Sequence, residues 1–354
     1  MTAPLALIAL AALQSPLAQD TSRHVTWSGF VDAYFAYDTD RPGSFDRAFT
    51  TQAARHDEFN INLAYLAVSL ASERTRGRLA FQAGTSVQVN YANEPTIGSV
   101  SGPSLSRHIQ EATVGARVAR GLWVDGGIYL SYIGLEGWIS RDNPTYTRSL
   151  VADFTPYYLS GARLTWQPSA PLTLQLHVMN GWQIISENNR AKSVGSRVDW
   201  QLSSAVTVAY ANFVGNEQPD SLPSKTRVFN QIMAHASLPG GWVLQGEADY
   251  GRQAGLAWSG FTVVGRKAVT RSAALVGRLE GYSDPDQVIV LTGTSAGFSG
   301  RGGSFGMDID GGGGLLWRTE VRALHTSVPL FPRGGNARAS RDDVLLVTSL
   351  ALTL

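Results

Sequence analysis

Residues 25–37 read VTWSGFVDAYFAY, and the parity of this stretch decides how the rest of the chain is read. Val25, Trp27, Val31, Ala33, Phe35 and Tyr37 share one face, while Ser28, Asp32 and Tyr34 point the other way. Period-two alternation marks a strand with one apolar and one polar side. Downstream, Phe59, Ile61, Leu63, Tyr65 and Ala67 alternate with Asn60, Asn62 and Ala64. Leu79, Phe81, Ala83, Val87 and Val89 then alternate with Arg76, Arg78, Gln82, Ser86 and Gln88. Similar segments follow near 108–118, 122–132, 160–166, 172–182, 193–201, 206–214, 227–238, 242–251, 258–265, 270–283, 304–310, 315–324 and 342–354. The total is about sixteen strands, each near the roughly 9–11 residues that a tilted strand needs to cross a bilayer.

The connections alternate in length. Long links lie near 38–58, 90–107, 133–159, 183–192, 215–226, 252–257, 284–303 and 325–341. Short ones lie near 72–75, 119–121, 167–171, 202–205, 239–241, 266–269 and 311–314. An up-and-down barrel with tight periplasmic turns and long outer loops has this rhythm, and a Greek-key sandwich has no reason to. The expected fold is therefore all-β, a transmembrane antiparallel up-and-down β-barrel with short periplasmic turns and long extracellular loops.

Composition agrees. Charged residues make up 16% of the 354, the net charge is +1, and Gly (37) and the aromatics are plentiful, a mixture that suits strands and turns. No basic surplus exists for a nucleic-acid partner. The absence of cysteine removes thiolate catalysis, disulfides and cysteine-ligated metals. No stretch supplies the about eighteen apolar residues of a membrane-spanning helix. The start, MTAPLALIALAALQSPLAQD, has a short apolar core from Leu5 to Leu13 and small residues around Ala18. It is expected to be a signal peptide over 1–18, leaving 19–354 as one barrel domain.

Trp166 and Trp200 end strands just before short turns, Trp242 begins one just after, and all three fall on the apolar parity. They are expected as an aromatic girdle at the membrane interface, against outer-membrane lipids. Trp123 departs from that pattern, because its parity is that of Asp125.

Charges fall on the opposite parity. Arg163 opposes Leu164 and Trp166; Arg197 and Asp199 oppose Val198 and Trp200. Arg278 and Glu280 oppose Leu275 and Leu279; Arg318, Glu320 and Arg322 oppose Trp317 and Val321. An Arg facing lipid at mid-bilayer costs about 2–4 kcal/mol, so these residues are expected inside. With Asp32 and Arg78 they form the expected lining of a water-filled bore, in which neighbouring Arg and carboxylate residues mainly stabilise one another.

Other chemistry is weak. G-x-S-x-G occurs at Gly293–Gly297 and Gly302–Gly306, but neither precedes the helix that a nucleophile elbow needs. His177 and His235 lie on the polar parity with no evident serine partner. Asp284 with Asp286, and Asp308 with Asp310, lack any calcium-loop spacing and read as turn chemistry. No catalytic residue, cofactor or metal is expected.

Seven segments together resemble the β-barrel porin-2 (OmpL-like) family of bacterial outer-membrane proteins. They are HDEFNINLAYL (56–66), VNYANEP (89–95), SRDNPTYTRSLVADFTPYYLSGARLTW (140–166), NGWQIISENN (180–189), NFVGNE (212–217), GRLEGYSDP (277–285) and LLWRTEVR (315–322). The resemblance runs from about residue 28 to the end. It implies an outer-membrane, porin-like barrel delivered to the barrel-assembly machinery, with no catalytic residues and no named substrate. A passive channel for small polar solutes or ions is the expected function, with a homo-oligomer as one possible state. The alternative is a plugged or adhesive barrel without an open channel. The 133–159 link bears on that choice, because it is long and carries Tyr146, Phe154, Tyr157 and Tyr158. The chain departs from the usual aromatic ending of such barrels, closing on Leu354 with Leu346, Leu350 and Leu352 on the same parity.

Overall fold

The computed structural model describes residues 23–335 and 338–354; the signal-peptide expectation over 1–18 lies outside them. The strands run β1 (His24–Asp38), β2 (Phe59–Ala71), β3 (Thr75–Ala83), β4 (Ile109–Ala119), β5 (Leu122–Leu130), β6 (Tyr158–Ser169), β7 (Leu172–Met179) and β8 (Ser193–Gln201). They continue with β9 (Val206–Asn216), β10 (Thr226–Leu238), β11 (Trp242–Gln253), β12 (Leu256–Ala268), β13 (Ala273–Asp284), β14 (Phe298–Gly312) and β15 (Leu315–Thr326). β16 (Phe331–Arg333) and β17 (Arg338–Ser340) form a small ribbon in the last long loop, before β18 (Asp342–Thr353). Three α-helical pieces lie in loops, α1 (Thr85–Asn90), α2 (Pro103–Ser106) and α3 (Leu150–Asp153), with a 3-10 turn at Ser140–Asp142.

Sixteen strands, β1–β15 and β18, pair antiparallel with their neighbours, and β1 pairs with β18 from Phe30↔Thr353 to Asp38↔Leu345. Closure leaves no strand edge unpaired, as a sheet in hydrocarbon requires. The exposed face is apolar all round, with Leu66, Phe81, Val114, Leu176, Ile232, Val263, Leu279, Phe305 and Leu350 among its members. Trp166, Trp200 and Trp242 are exposed on this outer face near the short turns, as are Trp27 and Trp317.

Three local expectations are corrected. First, the parity assumed for β2 fails at Asn62. Pairing with β1 jumps from Asp32↔Leu63 to Ala33↔Ile61, leaving Asn62 as a bulge. Phe59 and Ile61 therefore face out, while Leu63 and Ala67 are buried inside. Second, β3 stops at Ala83 and Thr85–Asn90 is helical. The break is at Gly84 (φ 141°), where a Cβ would lie 2.3 Å from the Asn62 carbonyl oxygen, so only glycine fits. Third, the expected long link at 252–257 is the two-residue turn Ala254–Gly255, both with positive φ, the tight hairpin geometry that matches strand twist. The Gly-rich stretch read as a strand at 304–310 extends to fifteen residues in β14.

Candidate functional site: the bore and the segment that crosses it

The link between β5 and β6, residues 131–157, folds back into the barrel and meets several walls. The Gly134 amide donates to Gln231 Oε1 on β10 (2.7 Å) and the Leu135 amide to Glu247 Oε2 on β11 (2.6 Å). Trp138 Nε1 donates to Gln82 Oε1 on β3 (2.9 Å). Ser140 Oγ and the Tyr146 hydroxyl donate to the two carboxylate oxygens of Asp32 on β1, at 2.7 and 3.2 Å. Arg141 reaches the carbonyl of Gly314, in the short turn before β15, at 2.5 Å. The segment thus extends from the long-loop end almost to the opposite rim.

Its densest anchoring is on β13 and β15. Arg278 donates to Thr145 Oγ1 (2.7 Å), the Thr147 carbonyl (2.6 Å) and Thr147 Oγ1 (2.8 Å). Glu320 accepts from the Thr147 amide and hydroxyl, both at 2.8 Å. Arg318 donates to the carbonyls of Ser140 and Asn143, each at 2.7 Å. Glu280 accepts the Leu150 amide (2.7 Å) and a two-pronged pair from Arg322 (2.9 and 2.8 Å). Arg322 also lies 3.7 Å from Asp153 of α3. Within the segment, Arg148 donates to the carbonyls of Gly137, Tyr146 and Trp138, and Glu136 accepts the Ser149 amide and hydroxyl. Burial pushes the Asp153 carboxyl up to about 6, against the pull of Arg322 and of the Thr51 hydroxyl and amide.

Apolar contacts complete the seating. Leu150 and Val151 share a buried cluster with Phe213, Phe229, Met233, Trp258, Tyr282 and Phe298. On the other side, Trp138 and Tyr157 pack with Phe30, Leu63 and Tyr91. The wall makes room for α3 at Gly260, where a Cβ would stand 2.4 Å from Val151 Cγ1. Residues 145–153 are all buried.

The ten charged residues picked from the sequence all lie on the inward parity, but they divide into two groups. Asp32, Arg278, Glu280, Arg318, Glu320 and Arg322 are brought together under the inserted segment, none more than 5% exposed. Arg78, Arg163, Arg197 and Asp199 lie outside that cluster, Arg197 meeting the segment only at its start, where it donates to the Tyr132 carbonyl (2.6 Å). They stand on β3, β6 and β8 with side chains 21–28% exposed, among Arg76, Glu111 and Asp125. There the pairs are Arg78–Glu111 (2.5 Å), Arg76–Asp125 (2.5 Å), Arg163–Asp125 (3.3 Å) and Arg197–Asp199 (2.8 Å). Trp123 also faces in, beneath the Arg76 guanidinium at 4.5 Å. Sequence reasoning missed Gln231, Glu247 and Gln82 as anchors, although parity marks all three as inward.

The segment separates two cavities. One of 360 Å³, toward the short turns, is lined by Arg141, Asp142 and Asn143 of the segment and by Gln245, Arg266 and Asp308 of the wall. The other, of 550 Å³, toward the long loops, is lined by Asp153, Phe154, Trp182, Glu217 and Arg227. His177 lies 3.2 Å from the Tyr129 hydroxyl, and His235, for which the sequence offers no evident serine partner, stands 3.3 Å from Ser237 Oγ on the same strand. Ser304 lies within β14, and Asp284 accepts the amides of Val288, Ile289 and Val290, a turn-closing role.

Residues 24–354 match the family model described as "Putative beta-barrel porin-2, OmpL-like". No curated protein matches the chain by sequence. Among solved structures, the outer membrane channel DcaP of Acinetobacter baumannii is similar, with TM-score 0.66 and 10% identity over 94% of this chain and 97% of that one. The anion-selective porin from Comamonas acidovorans gives 0.60 at 10% identity, over 94% and 100%. The trimer form of OmpT of Vibrio cholerae gives 0.61 at 7%, over 94% and 99%. At such identities the likeness carries the fold alone.

Proposed function

The chain belongs to the β-barrel porin-2 (OmpL-like) family of outer-membrane proteins, and from that premise we propose that it is a passive diffusion channel for small hydrophilic solutes or ions, constricted by residues 131–157. A porin family is a channel class and not an enzyme class. The observation that carries the proposal is the charged inner face of a closed sixteen-strand wall. Sixteen strands enclose room for an aqueous path once side chains and one inserted loop are seated. The path we propose follows β3–β8, where Arg76, Arg78, Arg163 and Arg197 outnumber Glu111, Asp125 and Asp199. That small surplus, beside a solute, favours anions weakly. Trp166, Trp200 and Trp242 would sit at the headgroup level. A trimer is the proposed assembly, by analogy with OmpT of Vibrio cholerae, which has a trimer form.

A second reading has its own observation. Residues 145–153 are buried on every side, which favours a barrel held shut at rest. Planar-bilayer recording of the refolded protein decides between the two. Stepwise ohmic conductance from the intact chain supports the channel. Conductance that appears only after deletion of 140–158 supports the plug. A heat-modifiable, folded barrel that conducts in neither form would falsify both.

A further inference from the structure

The 550 Å³ cavity on the long-loop side contains a buried cation that no carboxylate contacts directly. Arg227, near the start of β10, is only 8% exposed. Its guanidinium lies between two indole rings, 5.3 Å from the centroid of Trp182 and 5.8 Å from that of Trp258. It donates through Nε to Gln253 Oε1 at 2.9 Å. Among the described residues no acceptor takes its terminal amino groups, and no carboxylate lies within ion-pair distance. Arg278, Arg318 and Arg322 each hold a carboxylate within 3.3 Å, and Arg148, buried in the inserted segment without one, spends its donors on three carbonyls. Arg47, which lines the same cavity, is held by Asp38 and Asp343 at 3.1 and 3.0 Å.

A buried guanidinium whose carboxylates, Glu217 and Asp284, stand beyond ion-pair distance is costly unless something else supplies a close negative charge. The stacking of two indoles leaves its planar fork free at the edge, the geometry that grips a carboxylate through two parallel bonds. The rest of the cavity fits the body of such a ligand. Phe154, Ile184, Val288 and Ile289 supply apolar wall beside Trp182. Glu217 accepts from the Trp182 amide (2.9 Å) and Ser193 Oγ (3.2 Å), which fixes the loop bearing that indole.

We propose that this vestibule is a binding site for small organic acids with an apolar body, the carboxylate held by Arg227 and the body lying against Trp182, Phe154 and Ile289. Positioned at the outer mouth, it would concentrate such anions before the constriction. The site does not depend on how freely the barrel conducts.

The test uses the refolded full chain in detergent and titration calorimetry with benzoate. Saturable binding is expected, weakened roughly tenfold to a hundredfold by Arg227→Gln, the worth of a lost charge-assisted pair. Arg227→Lys should keep part of the affinity, because charge survives while the fork does not. Inorganic phosphate should bind more weakly than benzoate, since it has no apolar body to place. Each variant is checked for heat-modifiable migration, so an unfolded barrel is recognised, and Trp182→Ala provides an independent route if Arg227→Gln does not fold. Equal benzoate uptake by the wild type and a folded Arg227→Gln or Trp182→Ala barrel overturns the proposal. Phosphate binding as tight as benzoate overturns the apolar-body half of it.

Discussion

Arg278→Ala is the sharpest probe of the inserted segment. The guanidinium makes three hydrogen bonds to Thr145 and Thr147 at 2.6–2.8 Å and stands 3.2–3.5 Å from Glu280, Glu320 and Glu136. Its side chain is 0% exposed, so water cannot easily replace it. Removal leaves Arg322 as the partner of Glu280, while Glu136 and Glu320 lose their nearest cation. Breaking a buried pair by deleting one member costs about 3–5 kcal/mol. Because the barrel ladder is untouched, the cost falls on docking of the segment and not on the fold. At about 1.4 kcal/mol per factor of ten, the undocked population should rise by roughly two to three and a half powers of ten. Hydrogen exchange reads this directly, since the Thr147 and Leu150 amides are bonded only to Glu320 and Glu280. Their exchange should accelerate by a similar factor, with β13–β15 ladder amides unchanged, and bilayer recordings should show larger or longer steps. If the variant keeps its heat-modifiable migration and exchanges at Thr147 as the wild type does, the wall charges are not what seats the segment.

Other outcomes follow from the same geometry. Gly260→Leu places a side chain where Val151 Cγ1 already lies, 2.4 Å from the added Cβ; overpacking of about 1–3 kcal/mol should displace α3 and raise conductance while the barrel still forms. Reversing Arg163 to Glu leaves Asp125 with Arg76 alone and turns the exposed wall acidic; the zero-current potential in a salt gradient should move toward cation preference, and an unmoved potential would place the path elsewhere. Asp153 has its carboxyl raised from 3.8 to about 6 in the docked segment, with Arg322, Thr51 and Glu280 around it. The protonated form therefore favours docking, fully below about pH 4, and that contribution is lost as pH rises through 6. Conductance should increase over this window, and Asp153→Asn should flatten the increase.

Much of the wall was legible in the sequence because parity alone decides which side a strand residue faces. Arg278 with Glu280, and Arg318 with Glu320 and Arg322, stand two apart and so share the inner face. What they meet was not legible. Thr147 is 131 residues from Arg278 in the chain, and the segment that carries it has no period to read. Asn62 shows another limit. A bulge adds one residue without changing composition, yet reverses the parity of all that precedes it in β2. In 85–90, TSVQVN has strand-like composition, and only Gly84 hints that the ladder ends. Gln231 and Glu247 were readable as inward, but nothing in β10 or β11 says that their acceptors receive the amides of Gly134 and Leu135.

The division of the inner charges into two groups has one physical cause. A segment with little regular structure leaves its amides and carbonyls unpaired, and where it is packed away from water each such group must find a partner. The wall supplies partners of the matching sign. Carboxylates and a carboxamide receive amides, at Glu247, Glu320, Glu280 and Gln231. Guanidinium groups meet carbonyls, at Arg318 and Arg278, and Arg148 does the same from within the segment. These side chains replace the ladder that the segment lacks, so they are buried and fixed. On β3–β8 the inserted backbone makes fewer such demands. There Arg78, Arg163 and Asp199 pair with their neighbours, Arg197 pairs with Asp199 and also donates to the Tyr132 carbonyl at the start of the segment (2.6 Å), and all four keep contact with solvent. Charge under the segment is thus structural, and charge on the bare wall is what a passing solute would meet.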